Sequence, residues 1–138
     1  MPTESPRYFE HDADIGIVGR GSTIEQAFET GAQAVFAIIT HLGAVQPTST
    51  VTFEFEEADL EFAFVTWLNV LLGRSHELDM VFSRFHVQRH GNWWRAEASG
   101  EKWRAGLERG VEVKGATLTM LSVKQTGPGW EARCVVDV

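Results

Sequence analysis

The sequence predicts an α+β fold, a single domain over residues 1–138 in which two α-helices cover mainly antiparallel β-sheet. Three observations carry that expectation. Two stretches repeat their apolar residues at three- and four-residue steps, as one buried face of a helix does. Other stretches alternate apolar with polar residues, as half-buried strands do. The last third is divided by tight-turn signals, and strands joined by such turns pair antiparallel. A chain of 138 residues suits one domain, and no internal repeat, linker or low-complexity run divides it.

Arg7 to Arg20 reads as a loop entering a short strand, with Ile15, Ile17 and Val18 set between Gly16 and Gly19. The Pro-containing tip, residues 1–6, is expected to be loose. Ser22-Thr23-Ile24-Glu25 has the form of a capping box: the Ser22 hydroxyl takes a backbone N–H and the Glu25 carboxylate reaches back. Behind it Ile24, Ala27, Phe28, Ala32, Val35, Phe36 and Ile39 make one apolar stripe on a helix ending near Thr40. Thr48 to Glu56 alternates Val51, Phe53 and Phe55 with polar partners, a half-buried strand. Asp59 caps a second helix carrying Leu60, Phe64, Trp67, Leu68 and Leu71, with Gly73 expected at or just past its end. Val81 to Ser99 predicts two strands joined at His90-Gly91-Asn92, and Val111–Val123 and Trp130–Val138 two more, separated by Gly127-Pro128-Gly129.

Composition narrows the function classes. Apolar types make up 43% and charged types 22%, which excludes disorder for most of the chain. No apolar run approaches the roughly 18 residues that cross a bilayer, and the polar opening with Pro2 and Pro6 lacks a signal-peptide core. One cysteine, Cys134, makes no internal disulfide, so a reducing cytoplasm is the expected compartment. Twelve basic against nineteen acidic residues give a net charge of −7, which argues against broad contact with nucleic-acid phosphate, DNA included.

The chemistry-bearing residues gather at the two ends. Glu10-His11-Asp12-Ala13-Asp14 packs four ionisable side chains into five residues. In an extended segment Asp12 and Asp14 share a face, and two carboxylates so placed suit a hard cation such as calcium or magnesium; a solvated acidic turn is the alternative. Asp137 and Val138 close the other end, where Asp137 otherwise reads as a charge marking a strand's exit into water. If the last strand lies beside the first, Asp14, Asp137 and the Val138 carboxylate form an all-oxygen site, because carboxylates held that close repel unless a cation or proton intervenes.

Elsewhere the signals are plainer. Glu54, Glu56, Glu57, Asp59 and Glu61 read as solvent-facing positions and favourable charge at a helix start. His41, His76, His86 and His90 lack metal-ligand spacing. Of Trp93 and Trp94, one is expected in the core and one free to stack, while Trp67, Trp103 and Trp130 are expected inside. There is no Gly-rich phosphate loop and no Gly-x-Ser-x-Gly elbow. Cys134, among valines, is not a credible nucleophile. No catalytic residue emerges.

Taken together, these pieces resemble the archease family. Tyr8-Phe9-Glu10-His11-Asp12-Ala13-Asp14-Ile15-Gly16 is similar to its His-Thr-Ala-Asp-x-Gly signature. Glu25-Gln26-Ala27-Phe28, Trp67-Leu68-Asn69-Val70-Leu71-Leu72, Val81-Phe82-Ser83-Arg84-Phe85, Gly100-Glu101, Glu112-Val113-Lys114 and Val136-Asp137-Val138 follow in order and spacing, so the likeness covers nearly the whole chain. The resemblance implies a non-enzymatic accessory protein of the RtcB-type RNA ligase. Such proteins promote the ligase's GTP-dependent guanylylation and repeated turnover in tRNA splicing and RNA repair, meeting RNA only through the ligase. It implies metal-binding aspartates at Asp14 and Asp137, with Val138 as a further ligand; Asp12, sharing a face with Asp14 in an extended segment, is this chain's own added candidate. Lys114 and His11 are further functional candidates, Lys114 having the alternative of a charged position on a sheet edge.

The chain departs from the family pattern at three places. Asp12 stands where the family usually has Thr, Leu107 where it usually has His, and Thr117-Leu118-Thr119 where Thr-Tyr-His is common. These leave the aspartate pair intact and bear on how the chain would meet a ligase. Two other readings stay open: a chaperone-like interaction module presenting Trp94 or Phe side chains, and a metal-dependent hydrolase built on the same carboxylates, which lacks an evident general base.

Overall fold

The computed structural model describes residues 14–138. The expectations placed on the tip over 1–6 and on His11 and Asp12 lie outside the described residues. The element order is β1 (Asp14–Gly21), α1 (Ile24–Ile39), a 3-10 turn (Leu42–Ala44), β2 (Ser49–Glu56), α2 (Leu60–Leu78), β3 (Met80–His90), β4 (Trp93–Lys102), β5 (Gly115–Ala116), β6 (Ser122–Thr126) and β7 (Gly129–Asp137). The α+β class is as predicted, with the strands divided between two antiparallel sheets. In one, β7 is central, flanked by β1 on one side and by β5 and β6 on the other; in the other, β4 lies between β2 and β3.

One apolar core joins the two sheets through the helices. Phe28 of α1 stacks on Trp94 of β4 at 4.9 Å and meets Phe64 of α2 at 5.1 Å. Trp67 of α2 lies 6.0 Å from Phe53 of β2 and donates its indole N–H to the Phe28 carbonyl at 2.8 Å, so the buried ring leaves no orphan donor. On the other side α1 presses on β1. A Cβ on Gly19 would be driven into the Ala27 carbonyl oxygen and the Gly31 backbone, so only glycine admits this approach.

Local expectations are met with shifts of phase. The cap of α1 is Thr23, whose hydroxyl accepts from Gln26 N–H at 3.1 Å, while Gln26 Oε1 accepts from Ser22 N–H at 2.8 Å. The capping pair is therefore Thr23 and Gln26, one residue beyond the Ser22–Glu25 pair expected. Asp59 caps α2 as predicted, accepting from Glu61 and Phe62. Gly73 does not end that helix. It lies on the open side, and α2 continues through buried Ser75 to Leu78, stopping where Asp79 turns left-handed at φ 54°.

The hairpin of β3 and β4 turns at Gly91-Asn92 with Gly91 at φ 63°, as the sequence signalled. The expected strand over Val111–Val123 is instead mostly irregular. Only Gly115–Ala116 pairs there, and β6 begins at Ser122. Trp94 is buried and Trp93 is 52% exposed, the expected one-in, one-out division. Trp67 is fully buried, whereas Trp103 and Trp130 are only half-buried.

Candidate metal centre

β1 and β7 run antiparallel in the register Asp14↔Asp137, Gly16↔Val135, Val18↔Arg133 and Arg20↔Glu131. Burial sets that register. Ile17 and Gly19 of β1 and Ala132, Cys134 and Val136 of β7 face the core, so a one-residue slip would turn them into water. The alternate residues then share the outer face. Residues directly opposite in such a pair have Cβ atoms about 4.5–5.5 Å apart. At one end of the ladder this brings unlike charges together, Arg20 meeting Glu131 through Nε and Oε2 at 3.1 Å. At the other end it sets Asp14 against Asp137, two exposed carboxylates with like charge.

The far side of Asp137 is bounded by β5. Gly115 stands opposite Asp137, offering no side chain beside the carboxylate, and Lys114 N–H donates to the Asp137 carbonyl at 2.7 Å. The Lys114 side chain is exposed and Val138 half-buried. Three of the residues singled out in the sequence, Asp14, Asp137 and Lys114, thus meet at one corner with Val138 beside them. The metal donors among them are all oxygen, from Asp14 and Asp137, which fits a hard cation such as calcium or magnesium, while the Lys114 ammonium is no ligand. Among the described residues no group of three His, Cys, Asp or Glu side chains is placed to hold a metal. An ion at this corner would need main-chain oxygen or water beyond the two aspartates.

Asn69 on α2 also belongs to the corner. Its Oδ1 accepts from Ala116 N–H at 2.8 Å and its Nδ2 donates to the Ala116 carbonyl at 3.3 Å, tying β5 to the helix. Local sequence reading gives it no role, because its partner lies 47 residues away. The other candidates disperse. His86 pairs with Glu29 at 3.2 Å and His76 approaches Glu112 at 3.9 Å. His41 and His90 are exposed. Glu54, Glu56, Asp59 and Glu61 face water. Cys134 is buried, and burial pushes its thiol up to about 11, which removes it as a nucleophile. Leu107, at the position of the family's histidine, is buried in the core, while Leu118 is 61% exposed and Thr119 also faces water. No helix is long and apolar enough to cross a membrane among the described residues. The interaction reading that rested on an exposed Trp94 is corrected: that ring is buried against Phe28 and Phe55, and the exposed indole is Trp93.

Comparison with known proteins agrees with this architecture. The protein archease of Methanosarcina acetivorans is 32% identical over the whole of both chains. The solution structure of Methanobacterium thermoautotrophicum protein 1598 superposes with a TM-score of 0.77 at 26% identity, covering 94% of this chain and 96% of that one. The crystal structure of an archease, possible chaperone, from Thermotoga maritima gives 0.66 over 98% of each chain, and at 19% identity it speaks to the fold alone. The Archease protein family matches residues 7–138, and the chain belongs to that family.

Proposed function

We propose that this protein is a non-enzymatic activator of an RtcB-type RNA ligase, promoting the ligase's GTP-dependent guanylylation and repeated turnover from the Asp14–Asp137 corner. The observation that carries the reading is the cross-strand pair itself. Like charges directly opposite on a sheet are destabilising, and this ladder holds such a pair while matching unlike charges at Arg20 and Glu131. Asp14, Asp137 and the main-chain oxygens of Val138 would hold a divalent cation, calcium or magnesium, with Asp12 near in sequence as a further donor. Such an ion, when bound, neutralises negative charge beside phosphate groups.

The chain's own residues do the rest. The ladder fixes both carboxylates at an exposed corner, where they reach a partner's surface without rearrangement. Lys114, exposed and joined to Asp137 through its backbone N–H, adds a positive charge at the same sheet edge, suited to a phosphate or carboxylate of the ligase active-site mouth. The net charge of −7 leaves RNA to the ligase, and the cytoplasm is the setting proposed. Asp14→Ala and Asp137→Ala are expected to abolish stimulation of a ligase from the same genome, measured as guanylylated enzyme and as turnovers per ligase. Circular dichroism should show the fold retained. Undiminished stimulation by both variants would refute the reading.

A second reading, a chaperone-like interaction module, is favoured by the exposed apolar side chains of Trp93, Leu118 and Met120, which are 52%, 61% and 64% exposed. Its mark would be breadth. Protection of several unrelated unfolding proteins, undisturbed by Asp137→Ala, supports it over the ligase-specific role.

A further inference from the structure

The stretch from Trp103 to Leu121 has little regular structure of its own, yet it carries Lys114 and borders Asp137. Leu107 and Val113 anchor it in the core, and beyond them it is tied to its neighbours by a series of hydrogen bonds. Gly110 and Val111 N–H donate to Ile39 and Ile38 carbonyls at 2.7 and 3.1 Å, and Lys114 and Thr117 N–H donate to Asp137 and Val135 at 2.7 and 3.0 Å. Between Lys114 and Thr117 the backbone of Ala116 turns its N–H and C=O away from β7. It faces the side where a further strand would lie, and none of the described residues forms a strand there. Those groups are met by Asn69, whose amide accepts at 2.8 Å and donates at 3.3 Å. A primary amide carries one acceptor and one donor side by side, as a peptide unit does, so a single side chain completes the edge. It projects from a helix fixed by the buried Trp67, Leu68 and Leu71 on either side of it.

We propose that Asn69 is a positioning residue for the Asp14–Asp137 centre: its amide clamps Ala116 against α2, and through Lys114 and Gly115 it holds the neighbouring strand against Asp137. This rests on the reading of the two aspartates as cation ligands and adds to it a residue that touches no ligand. Groups that support metal ligands from behind commonly change affinity by 10–100-fold when removed. Leu at this position keeps the bulk and loses both hydrogen bonds. Asp keeps the acceptor for Ala116 N–H, loses the donor and sets a negative oxygen against the Ala116 carbonyl. Asn69 is exposed, so neither change opens the core.

The test uses the full chain, with calcium and manganese as separate probes. Titration calorimetry should give a dissociation constant at least about 10-fold weaker for Asn69→Leu and an intermediate loss for Asn69→Asp. Amide exchange measured by NMR without metal should quicken at Lys114, Ala116 and Thr117 in Asn69→Leu and stay unchanged in β3 and β4. A merely structural role would instead lower protection throughout. If the unaltered chain binds the ion, Asp137→Ala does not, and Asn69→Leu binds as tightly as the parent, the positioning role is overturned while the metal reading stands. If the unaltered chain binds neither ion, both fall together. Unchanged exchange at Lys114 overturns the clamp whatever the metal does.

Discussion

At the scale of single residues, the corner and the core show how one strand assigns opposite fates to neighbouring side chains. Asp137 and Cys134 sit three residues apart on β7, one exposed and one buried. For Cys134 burial penalises the thiolate and lifts the group from its ordinary 9.0 to about 11. The folded state therefore keeps a proton that the unfolded chain releases. The stability from this group is fully present below about pH 9 and is lost as pH climbs from 9 to 11. Two units correspond to about 2–3 kcal/mol. Urea melts at pH 8 and pH 11 should show a smaller fall for Cys134→Ala than for the parent, by that order. An identical fall in both chains would show that the thiol carries none of the alkaline instability. The residue scale was only partly legible in the sequence. Asp59 announced its cap, but Ser22-Thr23-Ile24-Glu25-Gln26 contains two overlapping capping patterns, and only backbone phase selects Thr23 with Gln26.

Elements depend on close approach as much as on periodicity. The apolar stripe of α1 was readable because its core-facing residues are neighbours on one helix face. The length of α2 was not, since glycine at 73 costs a helix about 1 kcal/mol, and burial of Leu71, Leu72 and Ser75 around it outweighs that. The segment 111–121 misled for a related reason. Its valines suggest a strand, but its backbone partners are the end of α1, Asn69 and the last residues of β7. The contact of Gly19 with Gly31 links element packing to the corner, because β1 carries Asp14 five residues upstream. Gly19→Ala must push β1 off α1, and overpacking of this kind costs about 1–3 kcal/mol or more. A lowered midpoint in urea should accompany, under the proposed function, weaker stimulation of a ligase even though Asp14 is untouched. A variant as stable as the parent would mean the two backbones separate without cost. Gly73→Ala, on the open side of α2, is the control and should be neutral or slightly stabilising.

At the scale of the whole molecule, the candidate centre joins residues 123 positions apart, and the pairing of β1 with β7 is what brings them together. Sequence reading could name both aspartates but could not place the strands side by side. Strand order is decided by which faces the helices cover, not by local pattern. Because β7 is the central strand of its sheet, the corner exists only when that sheet is assembled, so an ion bound there favours the folded chain as a whole. At 100 times the dissociation constant the gain is about 2.7 kcal/mol. That amounts to several degrees in Tm, at about 2–8 °C per kcal/mol for domains bracketing this size. Asp137→Asn separates the two contributions. Without divalent ions it removes the repulsion between opposed carboxylates and should leave stability equal or raised, by about 0.2–1 kcal/mol. With calcium or magnesium it should lose the thermal shift expected of the parent. Calorimetric melts of both chains with chelator and with excess ion give all four values. The two chains should change order between the conditions, and a parallel response of both to the ion would remove Asp137 from the site.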